Sequence, residues 1–236
     1  MARRAQMPRK TGQRQAKGAP AKGAAGSRMM LWVVIGAAVL IVAGLIALQG
    51  RSLSQTPVAQ GVVGEGTAWG PADAPVKIVN YSNFGCGHCR NFALNQGRQL
   101  RQEYEPTGQV RFEFKQFELG DASTSDAAAA SECAADQGRF WDYHDILFTQ
   151  QGTSANPFTR SALKQYGAQL NLDTASFNRC IDSGEHADEV HQDSQEGLAQ
   201  GVEGTPTFFI NGEMLVGDVP YETFKDTVDA ALAAAS

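Results

Sequence analysis

The sequence predicts an α/β domain with a block of helices inserted in its middle and one membrane-spanning helix before it. Three observations predict this. Patterns of strand, helix and strand follow each other in residues 76–117. Only helical patterns occur over about 121–201, and a pair of short strands and a last helix come after them. An uncharged run of about twenty residues precedes the domain.

The N-terminal residues have the pattern of a membrane anchor. Residues 1–28 contain eight basic side chains and no acidic one, and residues 29–48 contain no charge. About twenty apolar residues cross the hydrocarbon core as a helix, whereas a cleavable signal peptide usually has about 7 to 15. Basic flanks stay in the cytoplasm. We therefore expect a basic cytoplasmic segment at 1–28, an uncleaved single-pass anchor at 29–49 in the cell membrane of a bacterium, and an extracytoplasmic remainder. A long signal peptide cut within 48–60 is the alternative.

The remainder of the chain is acidic. Residues 50–70 are rich in Gly, Ser, Gln and Thr, which predicts a flexible linker. Beyond the apolar run the chain has 12 Lys and Arg residues against 25 Asp and Glu, a net charge of −13, which argues against nucleic acid as a partner. Residues 71–236 are enough for one domain with its own core.

The first half of this domain has the order strand, helix, strand. Residues 76–81 form an apolar run that predicts a strand, and the helical spacing over about 86–104 predicts a helix. Residues 110–117 alternate with period two and predict a second strand with aromatic side chains on one face. A helical crossover between two strands indicates that they are parallel.

The second half is predicted as five short helices, a hairpin and a final helix. The helices are an alanine-rich one through Cys133, an aromatic one around 140–147, and pieces near 157–170, 174–181 and 186–198. Residues 207–210 predict a strand, and Asn211-Gly212 predicts a tight antiparallel turn into a strand at 214–216. Pro220 begins a last helix that extends through Leu232.

The tetrapeptide Cys86-Gly87-His88-Cys89 follows the first strand and opens the first helix. A first helical turn brings the two cysteines within reach of a disulfide and leaves the leading sulfur at the exposed helix end. The unpaired amides and the positive end of the dipole stabilise a thiolate there. We therefore predict a redox-active pair in which Cys86 attacks, Cys89 resolves, and His88 assists when protonated.

A zinc site is the competing interpretation of this tetrapeptide, because His186 and His191 could complete it. About a hundred residues separate the two pairs, however, whereas compact zinc modules have roughly a dozen, and both histidines lie on a polar helix. A solvated face is the simpler expectation for both. We predict no metal and no cofactor, and a packing or surface role, not a catalytic one, for His144.

Gly204-Thr205-Pro206-Thr207 stands immediately before the strand at 207–210. The proline could serve only as the residue that enters the strand. A cis peptide between Thr205 and Pro206 would instead expose the backbone of Thr205 beside Cys86, where an extended substrate segment could pair with it. The presence of the C-x-x-C motif favours this second interpretation and predicts substrate binding at Thr205 and Pro206.

These segments together resemble the membrane-anchored, DsbA-like thiol-disulfide oxidoreductases of bacteria, which belong to the thioredoxin superfamily. The resemblance extends over nearly all of residues 71–235 and is carried by 76–89, 204–207, the hairpin at 208–212 and the helical block. It implies a thioredoxin fold with a helical domain inserted in the middle. It also implies a nucleophilic Cys86, reduced exported proteins as substrates, and a membrane quinone-linked protein that reoxidises the pair.

Two positions depart from the family pattern. Relatives often have a proline early in the tetrapeptide, but Gly87-His88 is the dipeptide of eukaryotic disulfide isomerases, so a reductase or isomerase is the alternative activity. Relatives also often keep a buried acid six positions before the first cysteine, where this chain has Asn80. Asn80 cannot titrate, so water or another group must accept the proton of Cys89. A non-enzymatic, anchored chaperone is a third possibility.

Cys133 and Cys180 are the two remaining cysteines. Outside the membrane an even cysteine count usually indicates pairing, and some relatives have a structural disulfide in the helical block. We predict a Cys133–Cys180 bridge, with two buried free thiols as the alternative.

Overall fold

A five-stranded mixed sheet organises residues 66–235, the part of the chain that the computed structural model describes. Its spatial order is β1-β3-β2-β4-β5. The parallel pair is β2 with β3, and all other neighbours are antiparallel. This confirms the parallel pair and the Asn211-Gly212 hairpin that the sequence predicts. The strands are β1 (Ala68–Trp69), β2 (Val76–Ser82), β3 (Val110–Gln116), β4 (Thr207–Ile210) and β5 (Glu213–Val216).

Eight α-helices connect these strands within residues 66–235. Two lie between β2 and β3, where the sequence predicts one. Five form the block between β3 and β4 and one follows β5, as predicted. They are α1 (Gly87–Leu94), α2 (Gln96–Tyr104), α3 (Ala122–Ala135), α4 (Phe140–Gln150), α5 (Arg160–Gln169), α6 (Thr174–Ser183), α7 (Ala187–Ala199) and α8 (Tyr221–Ala234).

The single helix predicted over 86–104 is two helices. Asn95 lies between α1 and α2 with φ −120° and ψ −84°, outside the helical region. Its side-chain amide donates to the backbone carbonyl of Asn91 at 3.0 Å. Asn side chains that bond nearby backbone groups compete with helical hydrogen bonding, which explains the break. The helix that begins at the C-x-x-C motif therefore has only eight residues.

The flexible linker predicted over 50–70 extends too far toward the C-terminus. Ala68 and Trp69 form the edge strand β1 and are both buried. The indole of Trp69 stacks on Phe112 of β3 with 5.4 Å between ring centroids. A two-residue strand is too short to show an alternating pattern, so periodicity could not predict it.

The predicted basic segment at 1–28, the anchor at 29–49 and most of the linker lie outside the described residues. Among residues 66–235, no helix is both long and apolar enough to cross a bilayer.

Aromatic packing holds α1 against the sheet. The ring of Phe92 lies 4.5 Å from that of Phe208 in β4, 5.4 Å from Phe224 in α8 and 6.4 Å from Phe112 in β3, measured between centroids. Burying a phenylalanine side chain contributes about 1.5 to 3 kcal/mol. This contact fixes the N-terminus of α1, and with it Cys86, next to the strand that Pro206 precedes.

A disulfide joins two helices of the inserted block. Cys133 of α3 is bonded to Cys180 of α6, with 6.0 Å between their Cα atoms. This is the pairing that the sequence predicts, and the two sulfurs are not free thiols. The only free cysteines among the described residues are Cys86 and Cys89.

Candidate active site

Cys86 stands at the N-terminal cap of α1. Its backbone is extended, with φ −79° and ψ 123°, and its carbonyl accepts the first helical hydrogen bond. The loop before it is held by Asn83, whose side-chain oxygen accepts from the amide of Gly85 while its side-chain nitrogen donates to the carbonyl of Phe117. Cys86 is therefore presented at the helix end, partly exposed, whereas Cys89 one turn later is buried.

The environment of Cys86 stabilises its thiolate. The hydrogen bond from the Cys89 thiol lowers the pKa of Cys86 most, and the Thr205 hydroxyl and the amides of Cys89 and His88 add to this effect. Together they outweigh burial and bring the pKa from 9.0 to about 5. At neutral pH the reduced protein therefore carries a thiolate at Cys86.

Cys89 has the opposite tendency. Burial raises the pKa of its thiol well above 9.0, and the hydrogen bond to the Cys86 sulfur raises it further. The hydroxyls of Ser82 and Thr205 oppose this shift only in part. The reduced pair consequently consists of one thiolate, Cys86, and one thiol, Cys89.

Gly87 and His88 are both exposed. His88 lowers the pKa of Cys86 through its backbone amide. A Cβ atom at Gly87 would meet nothing within 4 Å, so no steric requirement explains the glycine. The outer rim of the motif is open to an incoming protein.

The peptide bond between Thr205 and Pro206 is cis, as the functional interpretation of the sequence predicts. The sulfur of Cys86 lies 3.2 Å from the carbonyl oxygen of Thr205, to which its thiol form donates. The carbonyl of Pro206 accepts from the amide of Gly217 at 2.8 Å, which ties this segment to the end of β5. The backbone of Thr205 and the sulfur of Cys86 thus face each other, although 119 residues separate them in sequence.

The structure does not assemble the alternative zinc site. Within residues 66–235 the only cluster of possible metal ligands is Cys133, Cys180 and His186, and both of its sulfurs are in the disulfide. His186 is partly buried, not on a solvated face, and its ring bonds Asp136 at 2.9 Å and Glu189 at 2.7 Å.

His191 and His144 have the environments that the sequence predicts. The side chain of His191 is 63% exposed. His144 is buried among aromatic rings, with centroids 4.8 Å away at Phe148 and 5.0 Å away at Trp141.

The sequence interpretation missed Ser82. Its side chain lowers the pKa of Cys89, and the residue is buried at the end of β2. Asn80, two positions earlier on the same strand, is also buried, and its side-chain oxygen has no hydrogen-bond partner among the described residues. Residues i and i+2 of a strand share a face, so the pair could have been recognised as polar neighbours below the motif.

A thioredoxin family model matches residues 63–230. The chain belongs to the thioredoxin family. Among similar family members, the probable disulfide bond formation protein D of Bacillus anthracis is 27% identical over 217 residues, which are 86% of this chain and 96% of that protein. Disulfide bond formation protein D of Bacillus subtilis is 25% identical over 169 residues, 69% of this chain and 75% of that protein.

A higher identity occurs with part of a longer protein. The Na(+)/H(+) antiporter NhaA 3 of Salinispora tropica is 33% identical over 168 residues, 70% of this chain. The chain spans only about a quarter of that relative, with 24% covered.

Two solved structures confirm a DsbA-like form of the thioredoxin fold. Oxidised BdbD of Bacillus subtilis superimposes with a TM-score of 0.66 at 23% identity, over 73% of this chain and 98% of that one. The alpha-DsbA1 protein of Wolbachia pipientis gives a TM-score of 0.63 at 22% identity, over 78% and 96%. These two likenesses confirm the thioredoxin fold with inserted helices that the sequence motifs indicate.

Proposed function

We propose that this protein is a thiol-disulfide oxidoreductase that introduces disulfides into exported proteins through Cys86 and Cys89. The observation that carries the proposal is the asymmetry of the pair. Cys86 has a pKa of about 5 and is partly exposed beside Thr205, whereas Cys89 is buried with a raised pKa. A stabilised thiolate is a good leaving group and stabilises the reduced form of the pair, which makes its disulfide an oxidant.

The reaction follows from this arrangement. A substrate thiolate attacks the Cys86 sulfur of the oxidised pair, the bond to Cys89 breaks, and a mixed disulfide forms at Cys86. A second substrate thiolate then attacks the substrate sulfur of that mixed disulfide and releases Cys86 as a thiolate. The substrate is oxidised and the pair is reduced by two electrons.

The segment at Thr205 and Pro206 is the proposed substrate platform. The Thr205 backbone lies beside the sulfur that forms the mixed disulfide, at 3.2 Å from its carbonyl oxygen. An extended substrate can add main-chain hydrogen bonds to such a backbone segment with little dependence on its side chains. This arrangement suits an enzyme that must accept many unfolded or partly folded proteins.

We also propose that the catalytic domain is anchored outside the cytoplasm and that a membrane protein reoxidises it. The uncharged run after a basic segment supports a membrane anchor at 29–49 with the catalytic domain outside the cytoplasm. The resemblance to DsbA-like proteins supports a membrane quinone-linked protein that reoxidises Cys86 and Cys89. Alkaline carbonate extraction and external protease treatment of intact cells test the anchor: a protein released as a shorter soluble form would overturn it and favour the cleaved signal peptide.

A reductase or isomerase is the second candidate, and the dipeptide Gly87-His88 favours it. Equilibrium with glutathione distinguishes the two. An oxidase should have a potential well above that of thioredoxin, which is about −270 mV. A reduction potential close to that of thioredoxin would contradict the oxidase assignment.

Trapping tests the mechanism itself. Replacing Cys89 by Ala leaves a Cys86 that can form mixed disulfides but no resolving sulfur, so substrates should accumulate as reducible adducts. The double variant Cys86→Ser with Cys89→Ala is the matched control and should trap nothing. Absence of adducts in the single variant would contradict the proposal. Catalysed oxidation of a reduced unfolded protein that is lost in Cys86→Ser would count against the chaperone alternative, whereas no catalysed oxidation by the wild type would favour it.

A further inference from the structure

A small cavity lies next to the buried side of the C-x-x-C motif. Its volume is about 20 Å³, which is room for one water molecule. Three elements supply its polar lining: Asn80 and Ser82 come from β2, Arg98 and Arg101 from α2, and Trp141, His144 and Asp145 from α4. The cavity therefore joins the strand below Cys89 to a buried histidine of the helical block.

Two polar atoms of residues that line this cavity are buried without a partner in the described part of the chain. One is the acceptor Oδ1 of Asn80 and the other is the donor Nε1 of Trp141. Buried polar groups are almost always hydrogen-bonded, directly or through ordered water. A single water molecule could accept from Trp141 and donate to Asn80, so the cavity has both the size and the polarity to hold one.

Cys89 reaches this cavity through Ser82. The Ser82 side chain lowers the pKa of the Cys89 thiol, which places it beside that sulfur, and Ser82 also lines the cavity. Whenever Cys89 attacks a mixed disulfide at Cys86, its thiol must first lose a proton, and burial makes that loss unfavourable. Asn80 cannot accept the proton. The titratable groups that line the cavity are those of α2 and α4.

The two arginines are always protonated, so the bases in this cavity are the Asp145 carboxylate and, bonded to it, His144. Its Nδ1 lies 2.9 Å from the carboxylate of Asp145. That carboxylate accepts a hydrogen from Nδ1, which leaves Nε2 with a free lone pair. Burial lowers the pKa of His144, so the ring is neutral at pH 7 and able to accept a proton.

The charged groups around His144 act in opposite directions. Asp145 favours the imidazolium, whereas the guanidinium groups of Arg101 and Arg98 disfavour it. The other neighbours of the ring, including Phe84, Phe114 and Phe148, are uncharged aromatic side chains. Gain of a proton at His144 is therefore possible but reversible, as a relay requires.

We propose that His144 receives the proton of Cys89 through Ser82 and a water molecule in this cavity. The inference rests on the proposed thiol-disulfide exchange but serves the oxidase and the isomerase alike. His144 does not contact the Cys89 sulfur. It acts through Ser82 and the water molecule, as a positioning residue that holds the proton lost by Cys89.

In the step, the Cys89 thiol gives its proton along this path to Nε2 of His144. The Cys89 thiolate attacks the Cys86 sulfur of a mixed disulfide, and the bond from Cys86 to the partner sulfur breaks. The partner leaves as a thiolate with the electron pair. The Cys86–Cys89 disulfide forms, so the pair is oxidised and the partner disulfide is reduced by two electrons. The imidazolium then loses its proton to solvent beside Asp145, whose side chain is 34% exposed.

The test separates the two chemical steps. The reduced protein is mixed with oxidised glutathione, quenched with acid at successive times and analysed by mass spectrometry. Formation of the glutathione adduct reports attack by Cys86, and its decay to the internal disulfide reports attack by Cys89. In His144→Gln we expect the first rate to be unchanged and the second to fall about 100-fold at pH 7, with a steeper dependence on pH.

Two further variants keep the inference falsifiable. Asp145→Asn retains the imidazole and should shift the pH profile of the second step to lower pH, because it removes the group that favours the imidazolium. His191→Gln replaces an exposed histidine and should change neither step.

Three results would count against these proposals, and they differ. A second step in His144→Gln with the rate and pH profile of the wild type overturns the relay. Equal slowing of both steps with a lowered melting temperature assigns His144 a structural role only and also overturns it. Failure of the wild-type protein to form an adduct at Cys86 overturns the proposed function instead.

Discussion

At the scale of single residues, the chemistry depends on which sulfur can hold a negative charge. Cys86 and Cys89 are the same residue type one helical turn apart, yet their pKa values move in opposite directions. Position at the helix end and hydrogen bonds favour the thiolate at Cys86, whereas burial keeps Cys89 protonated. The Thr205 hydroxyl is an additional contributor because it acts on both sulfurs from a segment far away in sequence.

Thr205→Val should raise the pKa of Cys86. The substitution keeps the shape of the side chain but removes a buried hydroxyl that lowers this pKa. The Thr205 hydroxyl makes no well-aligned hydrogen bond among the described residues, so we expect a rise of less than about one unit. Thiolate absorbance at 240 nm against pH measures it. Thr207→Val is the matched control, since that hydroxyl donates to the carbonyl of Gly204; an unchanged Cys86 titration in Thr205→Val would contradict the assignment.

The buried carboxyl group of Glu132 should lower the free energy of unfolding at neutral and alkaline pH. This carboxyl group is 4% exposed, and burial raises its pKa from 4.5 to about 8, although Gln116 donates to it at 2.6 Å. The unfolded chain ionises first, so stability falls as the pH rises from about 4.5 to 8 and is constant above that. Glu132→Gln should therefore stabilise the fold by on the order of 2 to 4 kcal/mol at pH 8 and hardly at pH 4.

Urea unfolding at these two pH values measures the effect of Glu132→Gln. The exposed Glu185→Gln is the control and should have no such dependence. Equal stability of Glu132→Gln and the wild type at pH 8 would show that the Glu132 carboxyl ionises normally.

At the scale of elements, two short helices and one cross-link position the site. The break at Asn95 makes α1 an independent eight-residue helix that Phe92 anchors to the sheet. The periodicity of apolar residues continues through 86–104 and therefore could not show the break, which depends on a side-chain hydrogen bond. The disulfide joins α3 to α6 and so stabilises the block that contains His144.

Removing this disulfide should destabilise the domain without removing its redox chemistry. The double variant Cys133→Ala with Cys180→Ala opens a loop with a sequence separation of 47. In the chain-entropy model the loss is about 4 kcal/mol. Denaturant unfolding measures it, and formation of the glutathione adduct at Cys86 serves as the control for an intact site. A loss under about 1 kcal/mol would show that other contacts hold α3 and α6 together.

At the scale of the whole molecule, the redox state of one pair alters the stability of the entire domain. The Cys86 thiol has a pKa of about 5 when folded and 9.0 ordinarily, so the reduced protein gains stability as the pH rises from 5 toward 9. This gain is fully present above pH 9 and is lost as the pH falls through 5. The raised pKa of Cys89 has no effect below pH 9, because that thiol is protonated in both states.

The difference in unfolding free energy between the reduced and oxidised proteins should therefore grow with pH. From pH 5 to 7 we expect an increase of about 1 to 2 kcal/mol in favour of the reduced form, after allowing for solvent screening of a partly exposed group. Guanidinium unfolding of both forms measures it, with the Cys133–Cys180 bond kept intact in each. Cys86→Ser cannot form the disulfide or the thiolate, so its unfolding free energy relative to that of the oxidised wild type should not grow with pH. A difference between the two wild-type forms that stays constant with pH would refute a low pKa at Cys86.

The sequence alone is enough to predict the order of most elements, the parallel pair β2–β3, the hairpin β4–β5, the redox motif and the family, but not the edge strand β1 or the break at Asn95. Periodicity, turn residues and short motifs are local, so they can be detected along the chain. The sequence predicts the Thr205 backbone beside Cys86, and folding brings its carbonyl oxygen to 3.2 Å from that sulfur. The position of Ser82 beside Cys89 and the cavity that His144 shares with Asn80 are visible only in the folded chain. These contacts join residues up to 119 positions apart, and no local pattern encodes which buried side chains meet when the helical block packs on the sheet.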